Sequence, residues 1–144
     1  MRFPIAAAAA MAVLAADGVA RADNPPYWHF DGHELAYAPD ESDAYAASMV
    51  CAGPKVVLTT WIVLKADPSA IRLSSGNLTH RYSARLTREE ESGDYAEVRL
   101  ARMDGVLKAF RASGGLRVNG ADLAGKDRRE RRAIASFFAR CPLR

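Results

Sequence analysis

The chain has 144 residues, and its 20 lysines and arginines stand against 17 aspartates and glutamates, for a formal net charge of +3. This near balance argues against a dedicated nucleic-acid binder, and a hydrophobic fraction of 49% excludes a disordered chain. The sequence also lacks a collagen repeat, a sustained heptad pattern and the run of about 20 apolar residues that a membrane-spanning helix needs. These features are typical of one globular domain.

The start of the chain has the three parts of a secretory signal. Arg2 supplies the positive charge, residues 3–16 form an apolar run of 14 residues, and Ala20 and Ala22 are small residues suited to a cleavage site. Fourteen apolar residues are too few to cross a bilayer core of about 30 Å, so an uncleaved anchor is the less favoured alternative. We therefore predict a cleaved signal peptide and one mature domain of 122 residues and net charge +2, which are residues 1–22 and 23–144.

Export implies an oxidising compartment, in which two cysteines usually form a disulfide. Cys51 and Cys141 are the two cysteines of the chain. We predict a bond between them, worth at most roughly 4 to 5 kcal/mol of stability for a loop of about 90 residues. A reactive or metal-binding cysteine is the alternative, but the chain has no Cys-x-x-Cys motif and no histidine within ten residues of either position. The Ala- and Arg-rich composition favours a bacterial protein, and hence a periplasmic or secreted location.

Alternating polar and apolar residues, separated by turn residues, predict a series of strands. In the second of them Tyr45, Met49 and Cys51 share one face, which predicts that Cys51 points inward. The third is apolar enough for a buried central strand and forms a hairpin with the second. The predicted strands are residues 27–38, 45–51, 55–64, 71–73, 78–86, 95–101 and 116–118.

Two segments have helical rather than strand periodicity. Residues 105–112 follow Asp104, a suitable cap, and end at a pair of glycines. Residues 126–140 place apolar side chains three and four apart and end before Pro142. The predicted fold is therefore mainly β, an antiparallel β-sandwich or small barrel with a short helix and a C-terminal α-helix clamped by the disulfide.

The densest cluster of potential metal ligands is His29, Asp31 and His33. Side chains at i, i+2 and i+4 of a strand point the same way, so these three could converge on one cation. A solvated polar face is the alternative interpretation.

Four arginines fall within five residues of the last helix. They are Arg128, Arg129, Arg131 and Arg132. Two guanidinium groups one helical turn apart can bind phosphate or carboxylate groups, which predicts an anionic envelope component or an acidic partner as the ligand. The alternative is a solvated helix face, favoured by Asp127 four residues before Arg131. The run is too short to predict a nucleic-acid partner.

No motif of nucleophilic, nucleotide-binding or phosphate-binding chemistry is present. His80, on a predicted strand with Tyr82, could act as a general base, although a single histidine in an alternating strand is more often structural. We therefore predict no cofactor and favour a non-enzymatic role.

The order of these segments resembles that of small exported α-proteobacterial proteins that have one disulfide. The likeness rests on a strand ending at Cys51, the segment 104–110 followed by Ser113-Gly114, and the closing segment 134–141. It covers most of the mature chain, and it implies the fold and the compartment without assigning a catalytic residue.

The chain also has a distant similarity to periplasmic lysozyme inhibitors, which are small, β-rich and disulfide-tied. Their shared signature is Ser-Gly-x-x-Tyr on an exposed loop. The nearest match here, Ser92-Gly93-Asp94-Tyr95, is one residue shorter, and Ser75-Gly76 stands further from Tyr82.

Taken together, the residues favour a non-enzymatic binding or interaction module of the bacterial cell envelope, in the periplasm or secreted. Its partner would be an envelope protein or an anionic envelope component. Lysozyme inhibition is the first alternative. A metal-dependent hydrolase that uses the His29, Asp31 and His33 cluster is a less favoured one.

Overall fold

The computed structural model describes residues 25–40 and 44–141. The predicted signal peptide and Pro142 lie outside the described residues. Within them the chain forms ten strands and two helices. The strands are β1 Tyr27–Phe30, β2 Glu34–Ala38, β3 Ala47–Ala52, β4 Lys55–Thr60, β5 Ala70–Ser75, β6 Leu78–Ser83, β7 Arg85–Thr87, β8 Tyr95–Ala101, β9 Arg117–Val118 and β10 Ala121–Asp122, and the helices are α1 Gly105–Ser113 and α2 Arg128–Arg140.

The strands form two antiparallel sheets, which confirms the predicted fold class. The larger sheet has the order β1-β2-β3-β4-β8-β7, and the smaller has the order β10-β9-β5-β6. Ala84 alone separates β6 from β7, so one nearly continuous extended segment passes from the edge of one sheet to the edge of the other. The chain thereby closes one side of a sandwich-like arrangement.

The predicted strand 27–38 is wrong in one respect, because the structure divides it into the β1–β2 hairpin. Asp31 accepts hydrogen bonds from the backbone N–H groups of His33 and Glu34, both at 2.8 Å. Gly32 has a φ of 103°, which a residue with a Cβ rarely adopts. Asp-Gly is a common turn sequence for this reason, and it reverses the chain here.

Both helices begin at aspartate caps. The Asp104 carboxylate accepts hydrogen bonds from the backbone at the start of α1, and Asp127 accepts one from Glu130 at the start of α2. Helix α2 packs against β1 and α1 packs against β5. Their apolar faces complete the core, in which Trp28 contacts Phe110 with ring centroids 5.2 Å apart.

The predicted disulfide between Cys51 and Cys141 is present and ties the end of α2 to β3. The burial of its two ends differs, since Cys141 is fully buried whereas Cys51 is exposed. The prediction that Cys51 points inward is therefore wrong as regards burial. Cys51 lies on the core side of β3 by register, but it is near the end of that strand, where the core stops.

A buried carboxylate holds the start of α2 against β1. The Glu130 side chain is 5% exposed, and its two oxygens accept hydrogen bonds from the backbone N–H groups of Trp28 and Lys126, each at 3.1 Å. The Trp28 indole N–H donates to the Leu123 carbonyl just before the helix. On the edge of β1 that faces away from β2, the Trp28 N–H is thus satisfied by a side chain of α2 rather than by another strand.

Candidate functional site

The three predicted metal ligands lie on a hairpin and not on one strand. His29 is in β1, whereas Asp31 and His33 are in the turn, and the Asp31 carboxylate already accepts two backbone hydrogen bonds. Those two bonds hold the pKa of Asp31 below its ordinary value. Across residues 25–40 and 44–141, the structure brings together no group of three or more His, Cys, Asp or Glu residues that could hold a metal ion.

The four predicted arginines are all exposed on α2. Arg129 lies over the Tyr27 ring at 4.5 Å from its centroid and donates to the Tyr27 hydroxyl at 3.0 Å. Arg129 and Arg132 both line a groove beside His29, whereas Arg131 lines a different one beside α1. The remaining one, Arg128, is exposed at the first position of the helix. Among the described residues, Tyr27 thus gives Arg129 a defined side-chain partner.

His80 lies on the exposed strand β6 and stacks against Tyr82, with ring planes inclined by 28°. The Tyr82 hydroxyl donates to both oxygens of Asp104, at 3.0 and 2.9 Å. Burial and this carboxylate together raise the pKa of Tyr82 well above its ordinary value. The Tyr82–Asp104 contact links β6 to the cap of α1, and His80 stacks on the tyrosine of that link.

The sequence did not predict the most distinctive feature of the surface, which is a continuous row of aromatic rings. It crosses the face of the larger sheet that is turned away from the core, here called the outer face. Neighbouring ring centroids are 5.4, 6.4, 6.0 and 5.7 Å apart. Each ring is half-buried, so each also has an exposed part. This aromatic row consists of Tyr27, His29, Tyr45, Trp61 and Tyr95.

Strand register explains four of the five positions. Trp28 faces the core from β1, so Tyr27 and His29 face outward. Trp61 comes directly after β4, and Tyr95 begins β8; they stand one residue beyond the last register pair of those two strands. Both therefore fall on the outer face at the same end of the sheet.

Tyr45 connects the two halves of the row. Its ring centroid lies 6.4 Å from that of His29 and 6.0 Å from that of Trp61. Since β1 and β4 are three strand intervals apart, or about 14 Å, the Tyr45 ring must lie above β2 and β3. The side chains beneath it are small and buried, namely Ala36, Ala38 and Ser48. Small side chains on the two central strands thus leave room for the ring.

A groove of about 580 Å³ lies along the row at its β4–β8 end. Tyr45 and Trp61 form its aromatic walls, and Glu91 and Ser92 of the loop between β7 and β8 form its rim. The segment from 88 to 94 contains one arginine and four acidic residues, all exposed. The β4–β8 end of the row is therefore apolar within and negatively charged at its edge.

The opposite end of the row is more polar. The Tyr27 hydroxyl donates to Asp40 and accepts from Arg129, and the Asp40 contact raises the pKa of Tyr27. These groups line a cavity of about 520 Å³ together with Lys126 and Asp127. Next along the row, the Nδ1 atom of His29 is buried and has no hydrogen-bond partner among the described residues.

Part of this site could have been found from the sequence. Tyr27, His29 and Tyr95 alternate with core-facing residues of their strands, and this pattern predicts that their rings lie on the surface. Their assembly depends on the order of the strands in the sheet, which alternation does not reveal. Tyr45 has the same parity as the inward-facing Met49, so the pattern assigned it to the wrong face.

Among the described residues, no helix has the length and apolar character needed to cross a membrane. Comparison with protein-family models, with curated proteins and with solved structures found no match for this chain.

Proposed function

We propose that the protein is a non-enzymatic binding module of the bacterial cell envelope and that the aromatic row is its ligand-binding face. The observation that carries the proposal is a set of five half-buried rings in mutual contact across the outer face of the sheet. Clusters of partly exposed aromatic side chains are typical of interaction sites, and aromatic residues dominate the energetics of such sites.

Separate observations support the proposed compartment. The Cys51–Cys141 bond is typical of proteins in an oxidising environment. The predicted signal peptide and the resemblance to small exported α-proteobacterial proteins favour the periplasm or the cell exterior. We therefore propose a component of the cell envelope as the ligand of this face.

The test compares defined envelope components as ligands of the purified protein: isolated peptidoglycan, outer-membrane vesicles and a periplasmic extract. We expect saturable binding to one of them. Trp61→Ala removes a ring from the centre of the groove and should weaken that binding at least tenfold, since central aromatic residues contribute about 2 kcal/mol or more.

Met103→Ala provides a matched control. Met103 is the most exposed large apolar side chain described, at 56%, and it follows the far end of β8 from Tyr95. The Met103→Ala protein should bind the same component as tightly as the wild type does. Equal binding by the Trp61→Ala protein, or no binding to any component by the wild type, would overturn the proposal.

A second candidate function is lysozyme inhibition, favoured by the position of one segment. Ser92-Gly93-Asp94-Tyr95 lies on the exposed acidic loop at the end of the aromatic row, where a cationic enzyme could dock. A muramidase assay with micromolar protein tests this role. Unchanged cell-wall lysis in that assay excludes it and leaves the binding-module proposal intact.

A further inference from the structure

The rings of the aromatic row are inclined to one another, and this limits what can bind to them. The angles between neighbouring ring planes are 51°, 70°, 83° and 42° along the row. A flat ligand, such as an extended glycan chain, cannot stack on consecutive rings whose planes differ so much. Tyr45 and Trp61, whose ring planes are inclined by 83°, instead line one side of the groove of about 580 Å³. Such a groove fits compact apolar groups that project at intervals from a narrow backbone.

A polyproline II helix has this shape. It has three residues per turn, rises 3.1 Å per residue and leaves its backbone free of internal hydrogen bonds, so prolines project regularly into an aromatic-lined groove. Its stiffness also lowers the entropy that a peptide loses on binding. The aromatic row crosses four strand intervals from β1 to β8, which is about 19 Å. About six residues of polyproline II cover that length.

The charges at the two ends of the row would orient such a peptide. Glu91 lines the groove beside Trp61, and Glu89, Glu90 and Asp94 belong to the same exposed loop. At the other end Arg129 lies over Tyr27, but Asp40 and Asp127 line the same cavity, so charges of both signs meet there. A basic residue of the ligand is therefore favoured at the β8 end, where acidic side chains outnumber basic ones, over the mixed charges of the β1 end.

We infer that the aromatic row binds a proline-rich segment of an envelope protein, about six residues long in the polyproline II conformation, with a basic residue next to Glu91. The inference rests on the proposed function, because it names the ligand class of that same face. Prolines pack against Trp61 and Tyr45 in the groove, and the charged loop places the basic residue of the peptide.

Four synthetic probes test the inference by titration against the whole protein. The first is an arginine followed by six prolines. The second replaces the arginine with glutamate, and the third keeps the arginine but replaces the prolines with alternating glycine and serine. The fourth is a six-residue oligosaccharide of N-acetylglucosamine. Intrinsic tryptophan fluorescence and calorimetry report binding, since Trp61 lies in the groove.

We expect the arginine–proline peptide to bind at least tenfold more tightly than each of the other three probes. Trp61→Ala should reduce its affinity at least tenfold. Glu91→Gln should reduce it about threefold to fivefold and remove most of its dependence on salt. Glu34→Gln changes a carboxylate of the same face at the opposite end of β2 from the row, and it should leave the affinity unchanged. Circular dichroism of each variant confirms that it is folded.

Three results would overturn the inference. They are tighter binding of the oligosaccharide than of the arginine–proline peptide, equal binding of the glycine–serine peptide, and unchanged peptide binding by folded Trp61→Ala protein. If no peptide binds while an envelope component still binds in a Trp61-dependent manner, the ligand class inferred here is wrong and the proposed function stands. If Trp61→Ala affects no interaction at all, both fail.

Discussion

The buried carboxylate of Glu130 gives the sharpest test of how the fold is held together. Its oxygens accept hydrogen bonds from the backbone N–H groups of Trp28 and Lys126, and its side chain is 5% exposed. Glu130→Gln keeps the shape but can offer only one carbonyl oxygen, so its NH₂ group faces a backbone N–H. Hydrogen bonds to charged groups contribute about 1.5 to 3 kcal/mol each, and an unsatisfied buried donor costs about 1 to 3 kcal/mol.

These magnitudes, with the loss of a favourable charge in the first turn of α2, predict a decrease of about 3 kcal/mol in the free energy of unfolding. With a urea m-value of about 2 kcal/mol per molar, the unfolding midpoint falls by about 1.5 M. The midpoint is measured by urea titration with the disulfide intact, using circular dichroism to monitor unfolding. Glu91→Gln, in the exposed loop, should change stability by less than about 0.5 kcal/mol. A loss of under about 1 kcal/mol for Glu130→Gln would show that the carboxylate does not hold β1 to α2.

Three further predictions concern bonds described above. Replacing both Cys51 and Cys141 by alanine should lower the free energy of unfolding by at most roughly 4 to 5 kcal/mol, and thiol titration of the unfolded, unreduced wild type should find no free thiol. Tyr82→Phe loses the contact to Asp104 and should lower the free energy of unfolding by about 1 kcal/mol at pH 7. Because the pKa of Tyr82 is raised, the stability difference between wild type and variant is complete below pH about 10 and declines above it. A stability difference that grows at high pH would refute the contact between Tyr82 and Asp104. Asp31→Ala should lower the free energy of unfolding by about 1 kcal/mol at pH 7. Because the pKa of Asp31 is lowered, the difference between the urea midpoints of wild type and variant should narrow as the pH falls below about 4. A difference that stays constant would contradict the role of the Asp31 carboxylate in the hairpin turn.

Local signals in the sequence account for the elements that local interactions determine. Alternation located strands such as β8, in which one face is buried. The Asp104 cap located the start of α1, and the spacing of apolar residues located the start of α2 to within two residues. The disulfide followed from the presence of two cysteines in a chain with a predicted export signal. The β1–β2 turn had a signal too, in Asp31-Gly32, but the alternation on either side of it concealed the reversal.

The candidate site was not predictable in the same way, because it depends on which strands are neighbours. Trp61 and Tyr95 are 34 residues apart in the chain, and they meet because β8 pairs with β4 after the chain has formed β5, β6 and β7. Tyr45 precedes β3 and leaves the alternation of that strand, so periodicity placed it in the core. Pairing order and departures from strand geometry are long-range properties that a pattern of apolar residues does not encode.

The aromatic row joins stability and recognition in one set of side chains. Ala36, Ala38 and Ser48 are buried although they belong to the outer face, on the two strands that the Tyr45 ring spans. The neighbouring rings of His29 and Trp61 contact Tyr45 on its two sides and hold it in place before any ligand arrives. Rings that are already ordered lose little side-chain entropy on binding, which favours affinity. The small residues beneath Tyr45 therefore contribute to the binding face without touching a ligand, because larger side chains there would displace the ring that connects its two halves.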